Sequence, residues 1–402
     1  MACPESRRRA AVTAWRDAVI VGAGPAGSAA ATVLARRGHR VTVVDRAKFP
    51  RDKPCGDYCD PGAERAFQDL GCLSEVLASG AVPIATMRVM AHDGSGFEAP
   101  FPSGRGLLIP RKRLDAALLA HAARAGAEVI EGFHVDGIRP EDEGIQVRMD
   151  HPHPRTVRAR LVIAADGMRS TIAHRLGLRR LPVGRYTVGA YFSGLQGAPR
   201  GELHLGPGFY CGVANFGDGT GNVCMALPRS FLRRRSAERA FCDAVCYLPV
   251  LADTLTRARR ESPFRCTGPV GCASRQVVAD RTMLAGDAGG QIEPMTGQGI
   301  YMALRSGMIA AEVAAGALES GDLTRQTLEV YSKRRASEFG AKLNIARLLQ
   351  YLAFRPRLTP YLVRRLASRP ALASQLLGVT GDVSAADAVF TPGYLIRLLA
   401  GA

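Results

Sequence analysis

Asp17-Ala-Val-Ile-Val21-Gly22-Ala-Gly24-Pro-Ala26-Gly27 is an apolar run that breaks into a glycine-rich turn. The residues ending at Val21 suit a strand buried on both faces. Ser28 to Arg37 is Ala-rich and predicts a helix stopped at Gly38. Arg40-Val-Thr-Val-Val44 predicts a second strand, closed by Asp45 and Arg46. Strand, turn, helix and strand form a parallel βαβ unit. In such a unit Gly22 permits the tight turn, Gly24 lets backbone approach a pyrophosphate, and Gly27 lets the helix pack closely beside Ala26. The helix start points free N–H groups and a partial positive charge at the phosphates. Asp45, 18 residues beyond Gly27, can accept both hydroxyls of an adenosine ribose and repels a 2′-phosphate. The unit therefore predicts FAD or NAD rather than NADP.

The pattern continues outward. Residues 111 to 126 predict a helix, and 159 to 165 a further strand. From 181 to 275 the runs Tyr186–Phe192, Glu202–Leu205, Tyr210–Phe216 and Asn222–Leu227 alternate with Gly and Pro turns, which predicts a mainly antiparallel sheet with a helix near 236 to 248. Thr282–Ala285 returns to the βαβ pattern, followed by a helix from about Gly299 to Leu318. Beyond 323 the chain reads as helices broken at Pro356, Pro360, Pro370 and Pro392. The expected fold is α/β: a doubly wound nucleotide-binding domain (17–80, 105–180 and 276–322), an inserted antiparallel β-sheet substrate domain (81–104 and 181–275) and a helical C-terminal region (323–402).

Composition narrows the class. The chain has 402 residues, 47% of them hydrophobic, enough for a large core. No apolar run approaches the ~20 residues of a membrane-spanning helix, and the segment after Arg7, Arg8 and Arg9 is too short for a signal peptide. A cytoplasmic protein with mostly free thiols among its ten cysteines is expected. Neither the cysteine nor the histidine spacing forms a metal site. The net charge of +17 is concentrated at the C-terminal end, where residues 333–402 carry eleven Lys or Arg against three Asp or Glu. No nucleic-acid motif accompanies it, so nucleic acid is not an expected partner. Ile345, Leu348, Leu349 and Leu352 share one predicted helical face, with Arg347, Arg355, Arg357, Arg364 and Arg365 around it. That helix can pack on the core with a solvated basic face, touch an anionic membrane, or meet a partner protein.

Four further motifs carry a resemblance. Gly286-Asp287 follows a predicted strand and runs on through Gln291-Ile-Glu293-Pro294 to Gly297-Gln-Gly299-Ile300. Asp166-Gly167 follows another. Arg111 opens a helix, and Phe49-Pro-Arg51-Asp-Lys53-Pro54-Cys55-Gly56-Asp57 precedes one. With these residues the chain resembles the FAD-dependent superfamily that contains the aromatic hydroxylases (group A flavin monooxygenases) and the geranylgeranyl reductases. The resemblance implies that Asp287 binds the ribityl chain of FAD, Asp166 lies near its pyrophosphate, and Gly297, Gly299 and Ile300 meet the pyrimidine end of the flavin. A helix start there also stabilises an anionic reduced flavin. Arg111 is implied near the FAD phosphate and ribose, against the alternative of a solvated charge at a helix start. Pro54-Cys55-Gly56 is implied beside the flavin ring, with Cys55 either an inert buried thiol or a group facing substrate.

The reductases also carry a Pro-x-x-Tyr-x-Trp-x-Phe-Pro substrate motif. Here Pro207 and Tyr210 match, while Gly212, Ala214 and Asn215 replace the Trp, Phe and Pro. A smaller and more polar pocket wall is expected, suited to a specialised-metabolite intermediate, free or carrier-tethered, rather than a polyprenyl chain. The Trp-x-Trp motif of halogenases is absent, since Trp15 is the single tryptophan. The implied function is flavin hydride transfer, as double-bond reduction or dehydrogenation, with NAD(P)H as electron donor. The alternatives are a monooxygenase that hydroxylates with O₂, and a non-catalytic FAD-bound scaffold.

Overall fold

Ala18, Val19 and Ile20 are fully buried because their strand, Arg16–Val21, runs through the middle of a parallel sheet. The computed structural model describes residues 15–151, 153–178, 180–274, 276–290 and 295–399, so Arg7–Arg9 and Gln291–Pro294 lie outside the described residues. Val41–Asp45 and Arg155–Ala164 flank the central strand in parallel, and Glu128–Glu131 and Thr282–Leu284 extend the ladder on either side. Parallel pairing needs crossovers, and a continuous apolar strand needs cover on both faces. Helix Pro25–Arg36 supplies cover, with Pro25 in its first turn, and packs on helix Gly299–Ser320. A Cβ on Gly307 would stand 2.2 Å from the Ala26 carbonyl oxygen, so only glycine allows that crossing. A hairpin, His134–Glu141 and Gly144–His151, joins the outer part of Arg155–Ala164. Its charged Arg139, Glu141, Arg148 and Asp150 obscure the alternation that would announce it.

The second sheet runs in the order Arg259–Arg260, Tyr186–Ser193, Thr220–Leu227, Phe209–Asn215, Arg200–Gly206, Thr86–Ala91 and Gly96–Pro100. Neighbours are antiparallel except Arg200–Gly206 with Thr86–Ala91, which are parallel. A small third sheet of Tyr58–Cys59, Gly106–Leu108 and Val82–Ile84 lies outside the predicted pattern. The architecture is the α/β one expected: a doubly wound nucleotide-binding part, an antiparallel sheet and C-terminal helices.

Those helices are Arg325–Ala353, Leu358–Ala367, Pro370–Thr380 and Pro392–Leu399. Tyr331 ties the first to the nucleotide-binding sheet, its buried hydroxyl donating to the Leu284 carbonyl at 2.8 Å. Two expectations are corrected. Pro360 is not a break, because it sits in the first turn of Leu358–Ala367, where the missing N–H has no partner to lose. Leu348 is 40% exposed, while Ile345 and Leu349 pack on the core beneath the second sheet. Leu348 lies about 100° round the helix from Leu349, beyond the edge of the face that packs on the core. No described helix is long and apolar enough to cross a membrane.

Candidate active site

A cavity of about 980 Å³ opens at the carboxyl ends of the parallel strands, where Val21, Val44, Ala165 and Gly286 all reach its wall. This is the position at which doubly wound sheets take ligands. Gly22, Gly24, Ala26, Asp45, Arg46, Cys55, Gly56, Arg111, Asp166, Tyr210, Gly286, Asp287, Gly297, Gly299 and Ile300 all line it. Gly27 does not. Its ideal Cβ would meet the Gly22 carbonyl oxygen at 1.8 Å, so its part is to close the helix onto the turn.

The nucleotide half fits FAD. A Cβ on Gly24 would meet only the Arg51 guanidinium, at 3.7 Å, which leaves its cavity side open to a pyrophosphate. Asp45 is held at the rim by two backbone donors, Ala23 N at 2.7 Å and Ala47 N at 2.8 Å. Each carboxylate oxygen keeps a lone pair for a ribose hydroxyl. Asp166 Oδ2 accepts from Thr171 N at 2.7 Å, while its buried Oδ1 has no hydrogen-bond partner among the described residues. Burial raises its pKa. An orphaned carboxylate oxygen on this wall is the kind of group a bound polar ligand satisfies. Asp287 also faces the cavity, with Lys53 Nζ 3.8 Å away. FAD would thus be held by the 22–27 turn, Asp45, Asp166 and Asp287.

Arg111 is not a solvated helix-start charge. Its guanidinium is buried and donates to both Asp115 oxygens at 2.9 and 2.8 Å, with the Cys55 side chain near enough to feel its charge. Arg51 reaches the same Asp115 at 3.1 Å. Behind Pro54-Cys55-Gly56 stands Asp57, fully buried at φ +55°. Asp57 Oδ2 accepts from Tyr191 OH at 2.5 Å and from Asn222 Nδ2 at 2.6 Å, and Oδ1 accepts from Arg111 N at 3.1 Å. Asn222 Nδ2 also donates to the Cys55 carbonyl at 2.9 Å. The second sheet thereby holds the Cys55 segment against the cavity. Sequence patterning identifies Cys55 but passes over Asp57, Tyr191 and Asn222. The one local signal is an aspartate directly after Cys-Gly.

The far half of the cavity corrects the expectation of a polar wall. Val89, Phe97, Phe101, Leu203 and Leu205 face it from the second sheet, and Leu349, Leu352, Leu362, Val363, Leu366 and Leu377 close it from the C-terminal helices. Tyr210 stacks on Phe354 with ring centroids 6.4 Å apart. Gly212 opens the floor, since its ideal Cβ has no neighbour closer than 3.9 Å, whereas Ala214 packs in the core and Asn215 turns to the Gln196 carbonyl at 2.9 Å. Replacing the motif's Trp and Phe leaves space rather than polarity, because the surrounding wall is aliphatic.

At the other side of the nucleotide half, Gly297 adopts φ +80° with the Tyr58 ring 2.6 Å from its ideal Cβ, and the helix starts at Gly299. Between these glycines Gln298 turns away from the cavity and donates to Asp382 at 2.9 Å, a link with no local signal in sequence.

Residues 16–195 match the FAD binding domain family. Over 381 residues the chain is 31% identical to menaquinone reductase from Mycobacterium tuberculosis, covering 87% of this chain and 88% of that protein. It is 32% identical to digeranylgeranylglycerophospholipid reductase 2 from Methanopyrus kandleri, covering 82% and 84%. A geranylgeranyl bacteriochlorophyll reductase-like protein from Thermoplasma acidophilum shares the fold with TM-score 0.79 at 21% identity, covering 96% and 99%. A flavin-dependent brominase does so with TM-score 0.81 at 18% identity, covering 92% and 94%. The glycine cradle, the Asp166 and Asp287 wall and this likeness along most of the chain have one meaning: the protein is an FAD-dependent oxidoreductase and belongs to the family that includes menaquinone reductase and the digeranylgeranylglycerophospholipid reductases.

Proposed function

We propose that this oxidoreductase saturates an isolated carbon–carbon double bond in an extended apolar substrate of the polyprenyl type, drawing its electrons from NAD(P)H. The observation that carries the reading is the mainly apolar wall of the far cavity, from Phe97 and Leu205 to Leu362 and Leu366, continuous with the nucleotide half. Burying a prenyl unit there releases roughly 25 cal/mol per Å² of apolar surface, and a polar metabolite would forfeit that gain. Relatives named for menaquinone and digeranylgeranylglycerophospholipid point the same way.

Bound FAD supplies hydride transfer at its nitrogen 5. The chain does the rest. The aliphatic wall positions the double bond and excludes water. Cys55, on the cavity wall, gives the proton that the second carbon requires, and the nearby Arg111 guanidinium offsets the charge left on sulfur. Tyr210 gives the channel an aromatic side and is backed by Phe354. Exposed Arg46 and Arg169 at the nucleotide rim suit the phosphates of the electron donor.

The substrate arrives from an anionic membrane at the cytoplasmic face. Tyr351, Leu395, Ile396 and Leu399 are exposed at 58%, 39%, 65% and 55% on the first and last of the C-terminal helices, which also carry exposed Arg347 and Arg397, and Arg355 and Arg357 are exposed just after the first. Apolar side chains ringed by arginine suit an anionic interface.

The test is anaerobic incubation with NADPH and a geranylgeranyl lipid in vesicles, read by mass spectrometry. Gain of two hydrogens per double bond supports the reading. No gain anaerobically, with one oxygen added in air, would establish the monooxygenase instead. Flotation with anionic but not neutral vesicles tests the docking face.

A further inference from the structure

Behind the loop that carries Gly297 and Gly299 lies a buried carboxyl pair that no step above uses. Asp382 comes from the turn that follows helix Pro370–Thr380, the helix whose Leu376, Leu377 and Thr380 close the substrate end of the cavity. Asp60 comes from the start of helix Pro61–Asp69. Both side chains are shut off from solvent. Gln298 Nε2 donates to Asp382 Oδ2 at 2.9 Å, and Gln298 Oε1 accepts from Thr296 Oγ1 at 2.8 Å. Lys342 Nζ lies 3.0 Å from Asp382 Oδ1.

We propose that Asp382 is a positioning residue for the flavin-binding loop 295–299, and that it acts as the ionised member of a pair whose proton resides on Asp60. Three observations carry this. The Gln298 amide is stretched between Thr296 and Asp382, so the conformation of the residue between two cavity-lining glycines depends on that carboxylate. Asp382 holds φ +60°, a conformation a non-glycine residue keeps only where its surroundings demand it. The same turn is stitched to Asp60's helix, with Gly62 N donating to the Gly381 carbonyl at 2.8 Å and no room for a Cβ on Gly62.

The charges decide which partner keeps the proton. Lys342 reaches Asp382 and is shared with Glu338 at 3.7 Å and Tyr301 at 3.1 Å. Tyr58 and Cys59 from the strand, and Arg305 through Glu338, complete the titratable surroundings. One lysine cannot balance two buried carboxylates. Asp60 has one hydrogen-bond donor, the Ala63 N–H at 2.7 Å on Oδ1, its other oxygen accepts nothing among the described residues, and Lys342, ion-paired with Asp382, helps it only through space. Burial raises both carboxyls; Asp382 pushes Asp60 further up, while Lys342, Gln298 and Asp60 pull Asp382 back down. The helices that enclose the substrate are thereby wired at one point to the loop that meets the flavin.

The experiment compares Asp60→Asn and Asp382→Asn by FAD titration of the apoprotein and by the flavin midpoint potential in dye-coupled anaerobic reduction. Asn at 60 still caps the helix and can donate to Asp382, so FAD affinity stays within about twofold of wild type and the midpoint potential does not shift. Asn at 382 cannot accept from both Gln298 and Lys342, so FAD affinity falls about tenfold and the potential rises as a negative charge is lost. Equal losses in both variants, or wild-type affinity and potential in Asp382→Asn, would overturn the proposal. If Asp382→Asn does not fold, Gln298→Ala leaves the pair intact and must weaken FAD binding to a similar extent. Wild-type binding in that variant refutes the link.

Discussion

The phenolic oxygen of Tyr191 stands 2.5 Å from Asp57 Oδ2. That contact joins the second sheet to the segment that presents Cys55, and it places a carboxylate out of reach of water. Burial pushes the Asp57 carboxyl from 3.8 up to about 6, against the lowering pull of Tyr191, Asn222 and Arg111. Between those values the folded protein holds a proton that the unfolded chain has released. Stability therefore falls as pH rises through this window, by roughly 3 kcal/mol in all. Urea denaturation across the window should show the decline in wild type and a flatter profile in Asp57→Asn. Identical slopes would show that Asp57 does not titrate there.

Gly24 and Gly27 should separate cofactor binding from folding. Gly24→Val meets no protein wall, so the variant folds but blocks the pyrophosphate, and its flavin content drops at least about tenfold. Gly27→Val drives a side chain into the Gly22 carbonyl and costs about 3 kcal/mol or more of stability. Thermal melts and flavin absorbance distinguish them. A yellow, fully loaded Gly24→Val protein would remove the pyrophosphate from this turn.

Asp287→Ala should purify with little flavin yet melt within a few degrees of the wild-type apoprotein. Its partner Lys53 is half-exposed at 3.8 Å, and such ion pairs contribute about 1 kcal/mol at most. Full flavin occupancy in this variant would end its assignment to the ribityl chain.

Cys55→Ala should keep FAD, because Asn222 holds the Cys55 backbone carbonyl and not its thiol. Turnover should fall by about 10²-fold, the scale of a lost proton donor. Equal turnover with and without the thiol would make Cys55 a packing residue.

Gly212→Trp should fold, since no atom stands closer than 3.9 Å to the added Cβ. The indole would fill the apolar floor and shorten the channel. KM for a long prenyl substrate should rise about tenfold while that for a short one changes little, as expected when two or more methylenes lose their burial. Equal effects on both chain lengths would place the substrate elsewhere.

What the sequence by itself determined is the nucleotide half. Gly22, Gly24 and Gly27, Asp45, and the Gly286-Asp287 pair act through turns, helix starts and strand ends, whose geometry is set within a few residues. Their spacing is enough to predict FAD or NAD, and the resemblance they carry implies FAD and places Cys55 and Gly297 by the flavin. What only the tertiary structure decided is how that half is charged and enclosed. Asp57 meets Tyr191 and Asn222 from 134 and 165 positions away, and Gln298 meets Asp382 from 84 away. No periodicity links such residues, because a buried carboxylate takes whichever donors the packing delivers. The polarity of the substrate pocket is set by the same kind of distant packing. Gly212, Ala214 and Asn215 are one local motif, while the wall also takes leucines from C-terminal helices folded back over the sheet, and their burial makes it apolar.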